Sequence, residues 1–218
     1  MRILVKVPTK HRFLKFKTML LKYIDYQVTD NVTYLVTYDD DDPIMIKHKA
    51  EIESWGNVKC VGGMSKSKIH ACNRNVEGEF DILVLASDDM IVQERGWDKY
   101  LIECMKIRYP DTDGVLWFND GYTGNKLNTM CILGKKYYER FHYIYHPSYD
   151  SLFSDNEFME VANKLKKQTY FKRVLFKHEH PANNGFGYDL LYKKNDTKYH
   201  KDHSTWLRRK AKGYEIVQ

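Results

Sequence analysis

Nothing in this chain of 218 residues forms an apolar run long enough to span a bilayer as a helix, which takes roughly 20 residues. Nor is there a CxxC pair. Cys60, Cys72, Cys104 and Cys131 lie far apart, which argues against a zinc knuckle or redox motif and favours reduced thiols in a cytoplasm. The opening MRILVKVPTKHR meets charge too soon for a secretory signal, so a soluble, cytoplasmic protein is expected. The sequence has no internal repeat and no low-complexity linker. It also lacks the helical His-Glu-x-x-His pattern of zinc proteases.

What is present is basic and aromatic. The net charge of +6 suits contact with polyanions, whether phosphorylated small molecules or nucleic acid, though a lysine-rich solvated surface gives the same sum. The 17 tyrosines supply side chains with an apolar face and a hydroxyl, a pairing common in sugar and nucleotide sites and equally usable in a core.

The first half alternates strand and helix patterns. Strands are expected over Arg2 to Pro8, Val32 to Tyr38, Val58 to Val61 and Asp81 to Ala86. Helices are expected over Phe13 to Ile24, Ile44 to Trp55, Ser67 to Val76 and Trp97 to Arg108. This order predicts an α/β fold, a mostly parallel central sheet flanked by helices. The second half is less regular. Strands are expected at Gly114 to Asn119, Met130 to Leu133 and Val174 to His178, and helices at Tyr137 to Phe141 and Asp155 to Lys166. The tail from Asp189 to Arg209 is polar, tyrosine-rich and basic. The expected division is one domain over 1–185 with a basic extension over 186–218 packed on or beside it.

Ligands of open parallel sheets bind beyond the carboxyl ends of the strands. Three of those ends carry polar clusters: Pro8-Thr9-Lys10-His11-Arg12, Asp39 to Asp42, and Ser87-Asp88-Asp89. Each alone would pass for a turn or cap; three on one edge point to a site. Adjacent carboxylates repel, and placing Asp88 and Asp89 at the end of a central strand calls for a compensating cation. Hard oxygen ligands favour Mg2+ or Mn2+. His178 and His180, in His178-Glu179-His180-Pro181, would share a face if the strand ran through them, and one of them would complete such a site. Asp155 reads as a helix N-cap, with Glu157 in the first turn. A carboxylate held there and aimed at the site would serve as a general base.

These residues form an ordered set. Gly62-Gly63-Met64 leads to Lys68, Asn73, Arg74 and Gly78-Glu79-Phe80, then to Leu85-Ala86-Ser87-Asp88-Asp89-Met90 and Gly96-Trp97. Asn119-Asp120-Gly121, Leu127-Asn128, Tyr145 to Tyr149, Ser154 to Phe158 and His178 to Pro181 follow. From Ile3 to about Pro181 the chain resembles nucleotide-sugar glycosyltransferases of the GT-A fold related to family two, including small phage and bacterial members. The resemblance implies a single Rossmann-like domain and a nucleotide-sugar donor, with UDP-sugars foremost. It implies that Pro8, Thr9, Arg12 and Asp39 hold the nucleobase, and that Lys68 or Arg74 approaches the base or the diphosphate. By the same resemblance Asp88 contacts the ribose, Asp89 ligates Mn2+ or Mg2+, His180 or else His178 is the late metal ligand, and Asp155 is the base of inverting members. Ala86 departs from the pattern where many relatives carry an acidic residue, and Ser154 stands where a glutamate often precedes the base.

The phage resemblance also suggests an acceptor, a 5-hydroxymethylated pyrimidine in DNA. The basic tail (Lys193, Lys194, Lys198, Lys201, Arg208, Arg209, Lys210 and Lys212) fits phosphate contact, and the compartment would then be the host cytoplasm. Transfer to a glycan or a lipid-linked sugar is the rival. A nucleotidyltransferase would bring a glycine-rich phosphate loop near the first strand, where this chain has Thr9 to Arg12. A non-catalytic binding module would have no need of the Asp88-Asp89 pair.

Overall fold

A computed structural model describes residues 1–180 and 190–216. Pro181 and the expected boundary between 185 and 186 lie outside the described residues. Strand β1 (Ile3–Thr9) runs parallel to β2 (Val32–Tyr38) on one side and to β4 (Ile82–Leu85) on the other, and β3 (Val58–Val61) joins β2. Parallel neighbours need crossovers. Here they are α1 (Phe13–Tyr26), α2 (Pro43–Glu53) and α3 (Lys68–Asn73).

Beyond β4 the pairing is no longer all parallel. β7 (Ile132–Gly134) is antiparallel to both β4 and β6 (Val115–Phe118), and β8 (Gln168–Phe171) closes the edge parallel to β6. The order is β3-β2-β1-β4-β7-β6-β8. Four of the six pairings are parallel, as the alternating pattern predicts. A separate antiparallel ribbon joins β5 (Met90–Val92) to β9 (Phe176–His178). The remaining helices are α4 (Trp97–Arg108), α5 (Lys135–Glu139), α6 (Ser154–Lys164), α7 (Leu190–Asp196) and α8 (Tyr199–Ala211).

Successive strand residues face opposite sides, so β1 feeds two cores. Ile3, Val5 and Val7 join Phe16, Leu20, Trp97 and Leu101 on one side. Leu4 joins Ile69, Leu83, Leu85 and Phe158 on the other. Trp97 is fully buried between Tyr23 and Phe176, and its Nε1 donates to the Tyr23 carbonyl at 3.1 Å. Truncating such a ring costs about 3–5 kcal/mol. Gly96, which caps this helix, has φ +82°, a conformation that glycine reaches without a Cβ penalty.

The structure departs from the sequence reading in five places. Met90–Val92 and Gln168–Phe171 are strands, too short to show alternation. The polar tail is helical over α7 and α8. Phe153, at φ 60°, caps α6, so Asp155 is its second residue and not its N-cap. Strand β9 ends at His178, so His180 lies beyond it and the strand does not set the two rings on one face.

Candidate active site

The carboxyl ends of β1, β2 and β4 open into a cavity of about 400 Å³. Pro8, Thr9, Lys10 and Arg12 reach it from β1, Asp39 from β2, and Ala86 to Asp89 from β4. The three polar clusters therefore share one site. Lys68, Asp155, His178 and His180 line the same cavity. Arg74 does not. Its guanidinium donates to the carbonyls of Tyr38 (2.7 Å), Gly62 (3.2 Å) and Gly63 (3.3 Å) and to Ser65 Oγ (3.0 Å), which ties down the loop before α3.

The aspartate run sorts by position. Asp42 is fully buried; it caps α2 by accepting from Met45 N and also accepts from His11 N. Asp41 pairs with Lys10 at the rim. Only Asp39 of this run lines the cavity. Burial opposes its ionisation, but Lys10 at 2.8 Å, Ser65 and Arg74 outweigh that and hold its carboxyl below the usual range. Thr9 Oγ1 is buried with no hydrogen-bond partner among the described residues, an orphan that a bound ligand would satisfy.

Asp88 and Asp89 behave differently. Arg12 Nη1 donates to Asp88 Oδ1 at 3.2 Å. Burial nonetheless pushes the Asp88 carboxyl up, with Arg12 opposing and the neighbouring Asp89 reinforcing the rise. Asp89 accepts from Ser87 Oγ and lies 3.6 Å from His178 Nε2. The ribbon creates this meeting: Met90 pairs with His178, and Glu179 N donates to the Asp89 carbonyl at 2.7 Å. The His180 ring stands 5.5 Å from that of His178. Burial lowers the His180 imidazole, Asp89 opposes this, and His178 and Lys68 add to the lowering.

Among the described residues no three His, Cys, Asp or Glu side chains close around one point. The donor set is one carboxylate with imidazole beside it, facing an open cavity. It fits an ion that keeps open positions for water and phosphate oxygens, as Mg2+-type sites do, and does not fit an all-protein cage.

Asp155 enters from α6. Burial raises its carboxyl above the usual range, opposed by Lys68, the amides of Asn156 and Asp155 itself, and His178. Glu157, its neighbour in the first turn, faces away and is 3% exposed. It takes a two-pronged contact from Arg209 and a hydrogen bond from the Tyr149 hydroxyl at 2.7 Å.

Several residues reach the site with no role assigned to them there from the sequence. Asp120 sits behind His178, with Oδ2 3.9 Å from Nδ1, while its carbonyl accepts from His178 N. Lys194, Asn195 and Lys198 of the C-terminal segment line the cavity wall. Asp120 belongs to the ordered set and the two lysines to the basic tail, but nothing local in the sequence places the C-terminal residues at the strand ends. The folded-back chain brings them there.

No protein-family model matches the sequence, and no curated protein is similar enough to align with it. Solved structures do match. The mannosyltransferase PcManGT from Pyrobaculum calidifontis, in complex with GDP-Man and Mn2+, aligns at TM-score 0.64 and 16% identity over 82% of this chain and 56% of its own. S. aureus TarS 1-349 in complex with UDP-GlcNAc aligns at 0.65 and 11% identity, over 87% of this chain and 62% of its own. The same TarS fragment with UDP aligns at 0.66 and 12% identity, over 96% and 71%. The chain thus spans little more than half the length of the mannosyltransferase. At these identities the likeness establishes architecture: the chain has the GT-A fold, a mostly parallel sheet flanked by helices, shared with these glycosyltransferases.

Proposed function

We propose that the chain is a metal-dependent glycosyltransferase that moves a sugar from a nucleotide-sugar donor to an acceptor hydroxyl. The observation that carries this reading is the convergence of Asp88-Asp89, His178 and Asp155 in one cavity at the strand ends. Neighbours of the same fold were solved with GDP-Man and Mn2+ or with UDP-GlcNAc, which supports a nucleotide-sugar donor and a divalent ion.

In this reading Pro8, Thr9, Arg12 and Asp39 take the nucleobase end, and Asp88 accepts from the ribose. Asp89 and His178, with His180, would hold Mn2+ or Mg2+, which when bound supplies positive charge facing the departing diphosphate. Lys68 adds a cationic side chain to the same wall and stabilises charge that develops there. Asp155 accepts the proton of the attacking hydroxyl, and its raised affinity for a proton suits that task near neutral pH. The walls align the two substrates, which lowers the entropic part of the barrier.

Lys194 and Lys198 on the cavity wall favour an acceptor that carries phosphate, and a 5-hydroxymethylated pyrimidine in DNA is the form we propose. Part of the basic tail serves the protein itself: Lys201 pairs with Asp150, Arg209 with Glu157, Lys210 with Glu160 and Lys212 with Glu215. Lys193, Lys194, Lys198 and Arg208 remain as the cations for an anionic acceptor.

The test is a panel of UDP- and GDP-sugars with Mn2+ or a chelator. Each is offered water, hydroxymethylated duplex, unmodified duplex or a soluble glycan. Metal-dependent release of nucleoside diphosphate from one donor, accelerated by the hydroxymethylated duplex and weakened by salt, is expected. Acceleration by the glycan alone would replace the DNA acceptor. No release from any donor would remove the enzyme reading.

A further inference from the structure

One face of α8 grips both flanks of Asp155. Asp202 is fully buried, and its carboxylate accepts three consecutive backbone N–H groups: Asp150 at 3.0 Å, Ser151 at 2.8 Å and Leu152 at 2.8 Å. One turn on, the Trp206 ring stacks on Phe153, the left-handed cap of α6, at 5.6 Å and 21°. A further turn on, Arg209 reaches Glu157 with Nε at 2.8 Å and Nη2 at 2.9 Å. Residues 202, 206 and 209 follow helical spacing and point one way. The residues they hold, 150–153 and 157, bracket Asp155 on both sides.

A buried carboxylate needs compensation, and three amides supply it here. A loop that ends in a left-handed residue and delivers a side chain to a cavity needs outside support to keep one geometry. We infer that Asp202 and Arg209 are positioning residues, which act through the loop to set where the Asp155 carboxylate stands. Neither side chain lines the cavity. The inference rests on the reading of Asp155 as the base. Its structural half, the grip on the loop, can be measured alone.

The experiment compares wild type with Asp202→Asn and Arg209→Lys in three readouts. These are amide exchange at 150–152, nucleotide affinity, and the split between kcat and donor KM per folded molecule. Asp202→Asn replaces one accepting oxygen with a donor; Arg209→Lys keeps the charge but loses the two-pronged contact. Expected for Asp202→Asn are at least tenfold faster exchange at the three amides, nucleotide affinity within twofold of wild type, and kcat at least tenfold lower with donor KM within twofold. Arg209→Lys should show a smaller kcat loss with the same split. General loss of fold would instead remove nucleotide binding and turnover together, and if Asp202→Asn behaves that way, Arg209→Lys decides. Unchanged exchange in Asp202→Asn, or kcat within twofold of wild type in both variants, would overturn the inference. If the wild type neither binds nor turns over any donor, the enzyme reading fails, and the exchange arm alone upholds or overturns the grip.

Discussion

Lys6 lies in the middle of β1 with no exposure to solvent, and its Nζ donates to Thr37 Oγ1. Burial pushes its amine down to about 7, Arg74 adds to the lowering, and Cys72 opposes it. The sequence shows only a lysine inside an apolar run, and the strand pattern absorbs it. Its cost follows from proton linkage. Below about 7 the folded protein must carry a buried ammonium, and the full penalty applies. As the pH rises toward the amine's ordinary value of 10.5 the penalty fades, because the unfolded chain also gives up its proton. Lys6→Met should therefore stabilise the protein by on the order of 1–2 kcal/mol near neutral pH. That is roughly 2–4 °C in Tm per kcal/mol for a chain of this size. The gain should be larger at pH 6 than at pH 10 in thermal melts. A lower Tm at both would show that the amine is worth more than it costs. Asp88 and Asp89 are the opposite case: two acids directly after an apolar strand are visible in sequence because neither has an apolar role there.

At the scale of elements, the first turn of α6 sets two effects against each other. A helix N-terminus favours a carboxylate, whereas the cavity wall desolvates Asp155, and desolvation wins, raising its carboxyl. Since the base must be ionised, kcat/KM should fall as pH drops through that raised value, above the ordinary carboxylate range. Asp155→Asn should lower kcat about 10²- to 10⁴-fold with donor affinity nearly unchanged. A pH–rate profile and a donor titration check both; an Asp155→Asn enzyme of near-normal kcat would exclude Asp155 as the base. The sequence shows the helix but not its cap, because Phe153 caps through an unusual backbone conformation and not through a side-chain oxygen. The β5–β9 ribbon was hidden for another reason. β9 falls within the strand expected over Val174 to His178, but β5 has three residues, too few for alternation to register, and the pairing joins positions nearly 90 apart in the chain. It gives the expected link between the late histidines and the aspartate pair a contact, that of His178 with Asp89.

At the scale of the whole molecule, the alternating first half carries the fold. Buried strands separated by amphipathic helices leave few arrangements besides a parallel sheet, and that order puts Thr9, Asp39 and Asp89 on one edge. The antiparallel β7 and the closing β8 add the far side of the sheet and take little part in the cavity. The C-terminal helices were the least legible part. Their polar sequence hides Asp202 and Arg209, whose partners lie about 50 residues away and appear only in three dimensions.

In the proposed enzyme, Asp89 sits where a divalent ion and a nucleotide sugar meet. Calorimetric titration of UDP- and GDP-sugars into wild type and Asp89→Ala, with Mn2+ and with a chelator, tests it most directly. Wild type should bind at least one donor, tenfold or more tighter with Mn2+ than with chelator, and Asp89→Ala should bind it equally weakly in both. Binding by wild type that ignores the metal, or a metal dependence that survives in Asp89→Ala, would contradict it.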